Sequence, residues 1–218
     1  MIARALVFLA LLTGAAPLRA DPPGADAPLT FPAVGRISYG DRPLPGAAIC
    51  SATLVAPDLI LTAGHCVKDA VPQAVHFAAG YRHGRSAGGA QGVAVIRPAA
   101  ATGLAGDLAL VRLDHALAGV DPLPLAAREV TALRMLAYRR DAPQMRDDVD
   151  CRVIVQQGAA LGLRCPAVSG NSGAPLLQRT EQGWQVVAVM VAQDRQNRIV
   201  RSYAVVPPAD LVQAIRGQ

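Results

Sequence analysis

The feature that most constrains the fold of this 218-residue chain is a series of short strand-like segments in two sets of six. Each segment is rich in aliphatic residues and bounded by Gly, Pro, Asp or Asn, as strands joined by turns are. The first set spans residues 34–39, 47–55, 59–62, 74–78, 93–97 and 108–113, and the second spans 134–138, 150–155, 160–164, 174–178, 185–192 and 199–206. Between the sets, residues 114–127 lose the alternation and contain two prolines. The pattern predicts an all-β protein made of two packed six-stranded antiparallel β-barrels.

The first 32 residues differ from this pattern. Residues 1–20 carry an early arginine, an apolar run too short to span a bilayer, and Ala20 at the end, which is the arrangement of a signal peptide. A buried first strand is the alternative. Residues 21–32 are rich in Pro, Ala and Gly and predict a flexible arm. We therefore expect an exported protein, secreted or periplasmic, whose ordered part begins near Ala33.

The end of the chain predicts one α-helix. After two prolines the tail places Leu211, Val212 and Ile215 at helical spacing, and proline is well tolerated where a helix begins because its missing N–H would have no intrahelical partner. The expected organisation is an N-terminal barrel at 33–120, a C-terminal barrel at 121–206 and a helical tail at 207–218.

Composition narrows the class of protein further. Hydrophobic residues make up 52% of the chain and charged residues 17%, which argues against disorder. The formal net charge of +5 is by itself weak evidence for a nucleic-acid partner. After the first 20 residues, no segment approaches 18 uninterrupted apolar residues. We expect a monomer that binds no nucleic acid and, once the leader is removed, no membrane.

Four cysteines in an exported chain predict two disulfide bonds. They allow three connectivities, and proximity in the sequence favours Cys50 with Cys66 and Cys151 with Cys165. The competing interpretation is a Cys/His metal site, which the absence of a Cys-x-x-Cys clamp disfavours. No metal ion or other cofactor is expected.

Residues 169–175, Ser-Gly-Asn-Ser-Gly-Ala-Pro, are typical of a tight loop that exposes one hydroxyl and directs backbone N–H groups at a ligand. Such a loop suits the nucleophile of an acyl transfer, and Ser172 is the candidate. Because ordinary turns have a similar composition, the assignment depends on finding a base and a group that orients the base.

His65 is the candidate base, because an imidazole can accept the serine proton and return it to a leaving group. It lies in Thr-Ala-Gly-His-Cys, whereas the other histidines lie in no comparable motif. Asp107, which precedes the apolar run Leu-Ala-Leu-Val, is the candidate to hold the second imidazole nitrogen. The alternatives Asp69, Asp114 and Asp121 have no apolar strand directly after them.

In this order the three motifs resemble those of the chymotrypsin-fold (trypsin-like) serine endopeptidases, from about residue 34 to the terminal helix. The resemblance implies two six-stranded barrels with the active site in the cleft between them. It implies His65 and Asp107 in the first barrel, Ser172 in the second, and the backbone N–H groups of Gly170 and Ser172 as the oxyanion hole. Chain order and the lack of alternating helices disfavour an α/β-hydrolase.

Asn171 departs from the Asp that precedes the nucleophile in the animal digestive members of this family. The resemblance implies that their Asp receives the N-terminal amine freed by activation cleavage, and an Asn cannot form that ion pair. The chain is more similar to the bacterial glutamyl-endopeptidase and Deg-type branch, which also has Gly-Asn-Ser-Gly. We therefore expect an oxyanion loop that does not depend on a newly freed amine.

The resemblance also bears on the choice of substrate. Pro166 stands where trypsins carry the Asp that attracts Arg or Lys, and Met190 where glutamyl endopeptidases place a histidine that receives an acidic side chain. With Ala167 and Val168, these residues would line an apolar specificity pocket. Small or medium apolar side chains are therefore expected in the substrate.

The leading hypothesis from the sequence is an exported, metal-independent serine endopeptidase that hydrolyses peptide bonds in proteins or peptides through an acyl-enzyme at Ser172. The alternative is a catalytically silent binding protein with the protease fold, acting through a basic surface. The intact set of His, Asp and Ser weighs against that alternative. A protease restricted to one partner protein is a third possibility.

Overall fold

The computed structural model describes residues 31–40, 50–99, 102–126, 132–142, 144 and 146–217. The predicted signal peptide and the first ten residues of the predicted arm lie outside the described residues. Within the described part, the chain forms twelve β-strands and one α-helix.

The first barrel consists of β1 (Val34–Tyr39), β2 (Cys50–Ala56), β3 (Leu59–Ala63), β4 (Val75–Ala79), β5 (Gly88–Ile96) and β6 (Leu108–Leu113). Neighbouring strands are antiparallel in the order β1-β2-β3-β6-β5-β4, and pairing of β4 with β1 closes the barrel. β2 and β3 are buried along their whole length, because they also contact the second barrel. Burial on both faces explains why their sequences are almost continuously apolar.

The second barrel consists of β7 (Ala132–Tyr138), β8 (Arg146–Gln157), β9 (Ala160–Leu163), β10 (Pro175–Thr180), β11 (Gly183–Gln193) and β12 (Ser202–Val205). Its antiparallel order is β10-β11-β12-β9-β8-β7, closed by β7 on β10. The two closed six-stranded barrels confirm the predicted fold class. The predicted boundary between the two halves falls in the connection between β6 and β7.

The two barrels pack through a shared apolar interface. Along β7, Met135 and Ala137 point into the core of the second barrel, while Leu136 joins the core cluster of the first. Val186 and Val189 of β11 also belong to the first cluster. Side chains that alternate along these strands therefore point in turn into the core of the second barrel and into the interface with the first barrel. This interface fixes the position of one barrel relative to the other.

Both disulfide bonds favoured by sequence proximity are present, Cys50–Cys66 and Cys151–Cys165. The first joins the start of β2 to the turn after β3, and the second joins β8 to the residues after β9. In an oxidising compartment, cross-links of this kind stabilise the fold mainly by restricting the unfolded chain.

Two strands begin four or five residues before their predicted starts. β5 begins at Gly88, five residues before the predicted start, because β4 pairs with its glycine-rich first half. β8 begins at Arg146, four residues early, because it pairs with β7 as far as Tyr138. In both cases the neighbouring strand imposes an extended conformation on residues with little preference for it.

The predicted C-terminal helix is α1 (Ala209–Arg216). Leu211 is 1% exposed and belongs to the core cluster of the first barrel, and Ile215 packs against the same cluster. Asp210 Oδ2 accepts a hydrogen bond from the backbone N–H of Ala99 at 2.8 Å. Helix α1 therefore packs against the first barrel and holds the C-terminal residues to it. Within the described residues, no helix has the length and apolar character needed to cross a membrane.

We expect Leu211→Ala to lower the free energy of unfolding by about 3 kcal/mol, because it removes a fully buried side chain from a packed core. Gln213→Ala, an exposed position of the same helix, is the control and should change it by less than about 0.5 kcal/mol. Urea unfolding measures both. Equal losses in the two variants would show that the helix is not docked.

Candidate active site

His65 lies in a 3₁₀ turn, Gly64–Val67, that directly follows β3. Arg97 holds this turn, because its Nη1 and Nη2 donate to the carbonyl oxygens at the two ends of the turn, at 3.2 and 3.0 Å. The Cys50–Cys66 disulfide attaches the same turn to β2. A strand, a guanidinium and a covalent bond thus fix the backbone that carries the imidazole.

Asp107 lies immediately before β6, which pairs with β3 so that Ala63 is opposite Leu108. The residues beyond these strand ends therefore meet. Nδ1 of His65 lies 2.7 Å from Asp107 Oδ2, and the backbone N–H of His65 donates to Oδ1 at 2.7 Å. Because a carboxylate only accepts hydrogen bonds, the neutral imidazole carries its proton on Nδ1 and keeps the Nε2 lone pair free. The histidine side chain is 45% exposed, which leaves it open to a substrate.

The loop 169–173 between β9 and β10 carries Ser172 between two glycines with positive φ. Gly170 has φ +102°, and a Cβ there would lie 2.6 Å from the backbone nitrogen of Arg140. Gly173 has φ +83°, and a Cβ there would lie 2.0 Å from the carbonyl oxygen of Ser51. Both positions therefore require glycine, for the backbone angle and for the close contact.

Asn171 is 2% exposed and uses both ends of its side-chain amide. Its Oδ1 accepts a hydrogen bond from the backbone N–H of Val168 at 2.8 Å, and its Nδ2 donates to the carbonyl oxygen of Tyr138 at 3.0 Å. One neutral hydrogen bond therefore holds the loop to β7, and another holds it to the residue just before the loop. A carboxylate at this position could reproduce the first bond but not the second.

Three backbone N–H groups of the described loop are open, those of Ser169, Gly170 and Ser172, and the last two flank Asn171. Within the described part of the chain, no acceptor is bonded to the N–H of Gly170 or of Ser172. The alternating N–H groups are used, since Asn171 donates to Val168 O at 3.0 Å and Gly173 donates to Met190 O at 2.7 Å. A pair of open N–H groups in such a loop suits a negatively charged oxygen.

His65 and Ser172 line one pocket of about 300 Å³. Gly170 lines the same pocket, as do Ala167, Val168 and Met190. Asp107 lies behind the histidine and lines the neighbouring pocket. Pro166 is exposed and does not line the pocket, because it lies in the turn that leaves β9 after Cys165. The structure thus brings together three of the four predicted pocket residues.

The structure disfavours two alternatives, a metal site at Cys50, Cys66 and His65, and Asp114 as the partner of His65. His65, Cys50 and Cys66 lie within 4.8 Å of one another, but the two sulfur atoms are bonded to each other and cannot bind a metal as thiolates. Asp114 accepts a hydrogen bond from the backbone N–H of Gln91 at 3.0 Å and pairs with the neighbouring His115.

Two comparisons with known proteins found matches to this chain. Residues 50–189 match the family model described as a trypsin-like peptidase domain. The chain belongs to the trypsin-like peptidase family. A solved structure of a Glu endopeptidase in complex with MPD is similar to it with a TM-score of 0.70 and 20% sequence identity, covering 88% of this chain and 91% of that chain. The similarity confirms the chymotrypsin-like fold. No curated protein matches the sequence.

Ser51 is a site residue of this serine endopeptidase that sequence reasoning missed. It is fully buried, and its backbone N–H donates to Ser172 O at 2.8 Å. Its Oγ donates to Gly170 O at 2.9 Å and accepts from the backbone N–H of Tyr138 at 2.8 Å. One residue of the first barrel thus binds both the loop 169–173 and β7. A hydroxyl in a strand that is otherwise apolar except for Thr53 was the available signal.

We expect Ser51→Ala to destabilise the peptidase by about 2 kcal/mol, because the carbonyl of Gly170 and the N–H of Tyr138 lose a buried partner. The loosened loop should also lower kcat/KM by about tenfold or more. Unfolding and steady-state kinetics on one preparation measure the two effects.

Ser202→Ala is the matched control, since Ser202 is equally buried and its Oγ donates to the carbonyl oxygen of Cys165 at 2.9 Å. It should lose comparable stability and keep its kcat/KM. Equal kinetic losses in the two variants would refute a specific role for Ser51 in the loop.

Asn171→Asp should make the stability of the peptidase depend on pH. The new buried carboxyl would face the carbonyl oxygen of Tyr138, which raises its pKa above the ordinary value. The folded state then binds the proton more tightly than the unfolded state, so stability is retained at low pH and lost as the pH rises through the raised pKa. Urea unfolding between pH 4 and pH 8 would measure this loss.

The control for this pH series is Asn197→Asp. Asn197 Oδ1 accepts from the backbone N–H groups of Ile199 and Val200 on the exposed surface, which a carboxylate can also do. This variant should show no loss of stability with rising pH. A common pH profile for both variants would contradict the assigned contacts of Asn171.

Proposed function

We propose that this endopeptidase uses Ser172 as the nucleophile, His65 as general base and acid, and Asp107 as the group that orients the imidazole. One observation carries the proposal, the 2.7 Å contact between His65 Nδ1 and Asp107 Oδ2 beside a pocket that His65 shares with Ser172. That contact leaves Nε2 as the only ring nitrogen able to accept a proton.

In the first step, the Ser172 hydroxyl attacks the substrate carbonyl while His65 Nε2 takes its proton. Asp107 stabilises the imidazolium that forms and remains ionised. The tetrahedral intermediate collapses when His65 returns the proton to the amine that leaves, so that the acyl group stays on Ser172. Water then repeats the sequence in place of the serine hydroxyl and releases the acid.

The oxygen that becomes negative in the intermediate would bind the backbone N–H groups of Gly170 and Ser172. Their lack of acceptors among the described residues supports this role. Each such donor contributes about 3 kcal/mol to stabilisation of the transition state in comparable sites. The positive φ of Gly170, +102°, is part of the backbone conformation that the donor pair requires.

We infer that the oxyanion loop is complete without a newly freed N-terminal amine. The two amide hydrogen bonds of Asn171, at 2.8 and 3.0 Å, support this inference because they anchor the loop without any charge. A chain cut only after residue 20 would then be active as released.

The substrate is proposed to be a protein or peptide with a small or medium apolar side chain before the scissile bond. Ala167, Val168 and Met190 support this preference as apolar residues on the wall of the pocket. Pro166 lies outside the pocket and would not contact this side chain. We also propose that the enzyme is a monomer and that it acts outside the cytoplasm. The leader-like residues 1–20 and the two disulfide bonds support the proposed location.

The test is covalent labelling by a fluorophosphonate, in which the serine oxygen displaces fluoride from phosphorus. We expect the chain beginning at Asp21 to be labelled without further trimming, Ser172→Ala to be unlabelled, and His65→Ala to react at least about a hundredfold more slowly because the general base is lost. Mass spectrometry of the labelled peptide identifies the modified residue.

Ser86→Ala is the matched control, because Ser86 is an exposed serine outside the pocket, and it should label as the wild type does. Absence of labelling in the wild type would favour the catalytically silent binding protein. Equal labelling of Ser172→Ala would reject the assignment of the nucleophile.

A further inference from the structure

Arg140 is the only permanently charged side chain among the described residues that line the pocket of Ser172, and no Asp or Glu lines it with them. Burial raises the pKa of Tyr39, which also lines the pocket, to about 12, so its hydroxyl is neutral at physiological pH. The described wall of the pocket therefore carries one fixed positive charge and no negative charge.

The backbone of Arg140 is fixed to the loop while its side chain is exposed. Its N–H donates to the carbonyl oxygen of Ser169 at 2.8 Å, and the same nitrogen lies 2.6 Å from the place a Cβ would occupy on Gly170. Arg140 thus stands next to an open N–H of the loop. Its guanidinium forms no ion pair or hydrogen bond with another described residue.

The adjacent arginine provides a contrast. Arg139 Nε and Nη2 donate to the two carboxylate oxygens of Asp141 at 2.8 and 2.6 Å, and Asp147 lies 3.7 Å away. Arg139 therefore pairs with the carboxylates of Asp141 and Asp147. Arg140, which lines the pocket and has an exposed side chain, is left without such a partner among the described residues, and a guanidinium prefers a carboxylate as its partner.

We infer that Arg140 forms a subsite for a substrate carboxylate near the scissile bond, an inference that rests on the proposed function. This subsite is separate from the apolar wall. The backbone of Met190 forms hydrogen bonds with Gly173 and Ala174, which follow the proposed nucleophile. The backbone of Arg140 forms a hydrogen bond with Ser169, which precedes it. An acidic side chain or the C-terminal carboxylate of a peptide would supply the same chemistry.

The test uses quenched fluorescent peptides with one alanine at the cleaved position and a single Glu moved through the three positions on each side of it. Each peptide has a twin with Gln, and the set is made with a free and with an amidated C-terminus. We expect one placement of the carboxylate to raise kcat/KM about tenfold over its neutral twin, and added salt to reduce that ratio. The responsive placement, side chain or chain end, identifies the source of the carboxylate.

Arg140→Gln should bring the ratio to about one, Arg140→Lys should restore part of it, and Arg139→Gln should leave it unchanged. Because the ratio is taken within one variant, partial unfolding cancels from it. No preference for a carboxylate at any placement in the wild type, or a preference that survives Arg140→Gln, would overturn the inference while fluorophosphonate labelling still supports the proposed function. Absence of labelling in the wild type would reject both.

Discussion

The nucleophile loop depends on a set of hydrogen bonds that one buried residue of the other barrel makes. Ser51 binds the loop through its backbone N–H to Ser172 and through its hydroxyl to Gly170, and the same hydroxyl receives the N–H of Tyr138. Its own carbonyl accepts the hydroxyl of Thr62 at 2.8 Å. Every polar group of Ser51 is therefore used, and none could be lost without leaving a buried partner unsatisfied.

This network explains why the proposed chemistry needs both barrels. The proposed base and its carboxylate lie just beyond the ends of two neighbouring strands of the first barrel, whose pairing brings Ala63 opposite Leu108. The nucleophile comes from the second barrel, yet its loop touches β2 of the first, where Gly173 leaves no room for a Cβ. A shift of one barrel against the other would break hydrogen bonds and open the shared apolar interface together. The relative position of base and nucleophile thus follows from packing over a large area.

The fold could be predicted from the sequence because strands of this kind are marked locally, by aliphatic runs between Gly, Pro and Asp. The triad candidates were marked by short motifs, and the structure brings His65 and Ser172 to one pocket with Asp107 behind. The extent of β5 was not predictable, because its glycine-rich start is extended only through pairing with β4. The roles of Ser51 and Arg140 were not predictable for a related reason, because both residues contact residues that are far away in the sequence. Local patterns identify elements and motifs, while partners across the cleft are set by tertiary packing.

Asn171 connects this packing to the way the site is assembled. A buried carboxylate at its position would lose hydration and would need a cation to compensate for that loss. The amide needs none, because its two ends are already matched by the N–H of Val168 and the carbonyl of Tyr138. Both hydrogen-bond partners of the Asn171 side chain therefore belong to the folded barrels, and neither is a chain terminus. Tyr138, which accepts the Asn171 amide, ends β7, and Arg140 follows two residues later, so the segment that anchors the proposed oxyanion loop also carries the one fixed charge among the described residues that line the pocket.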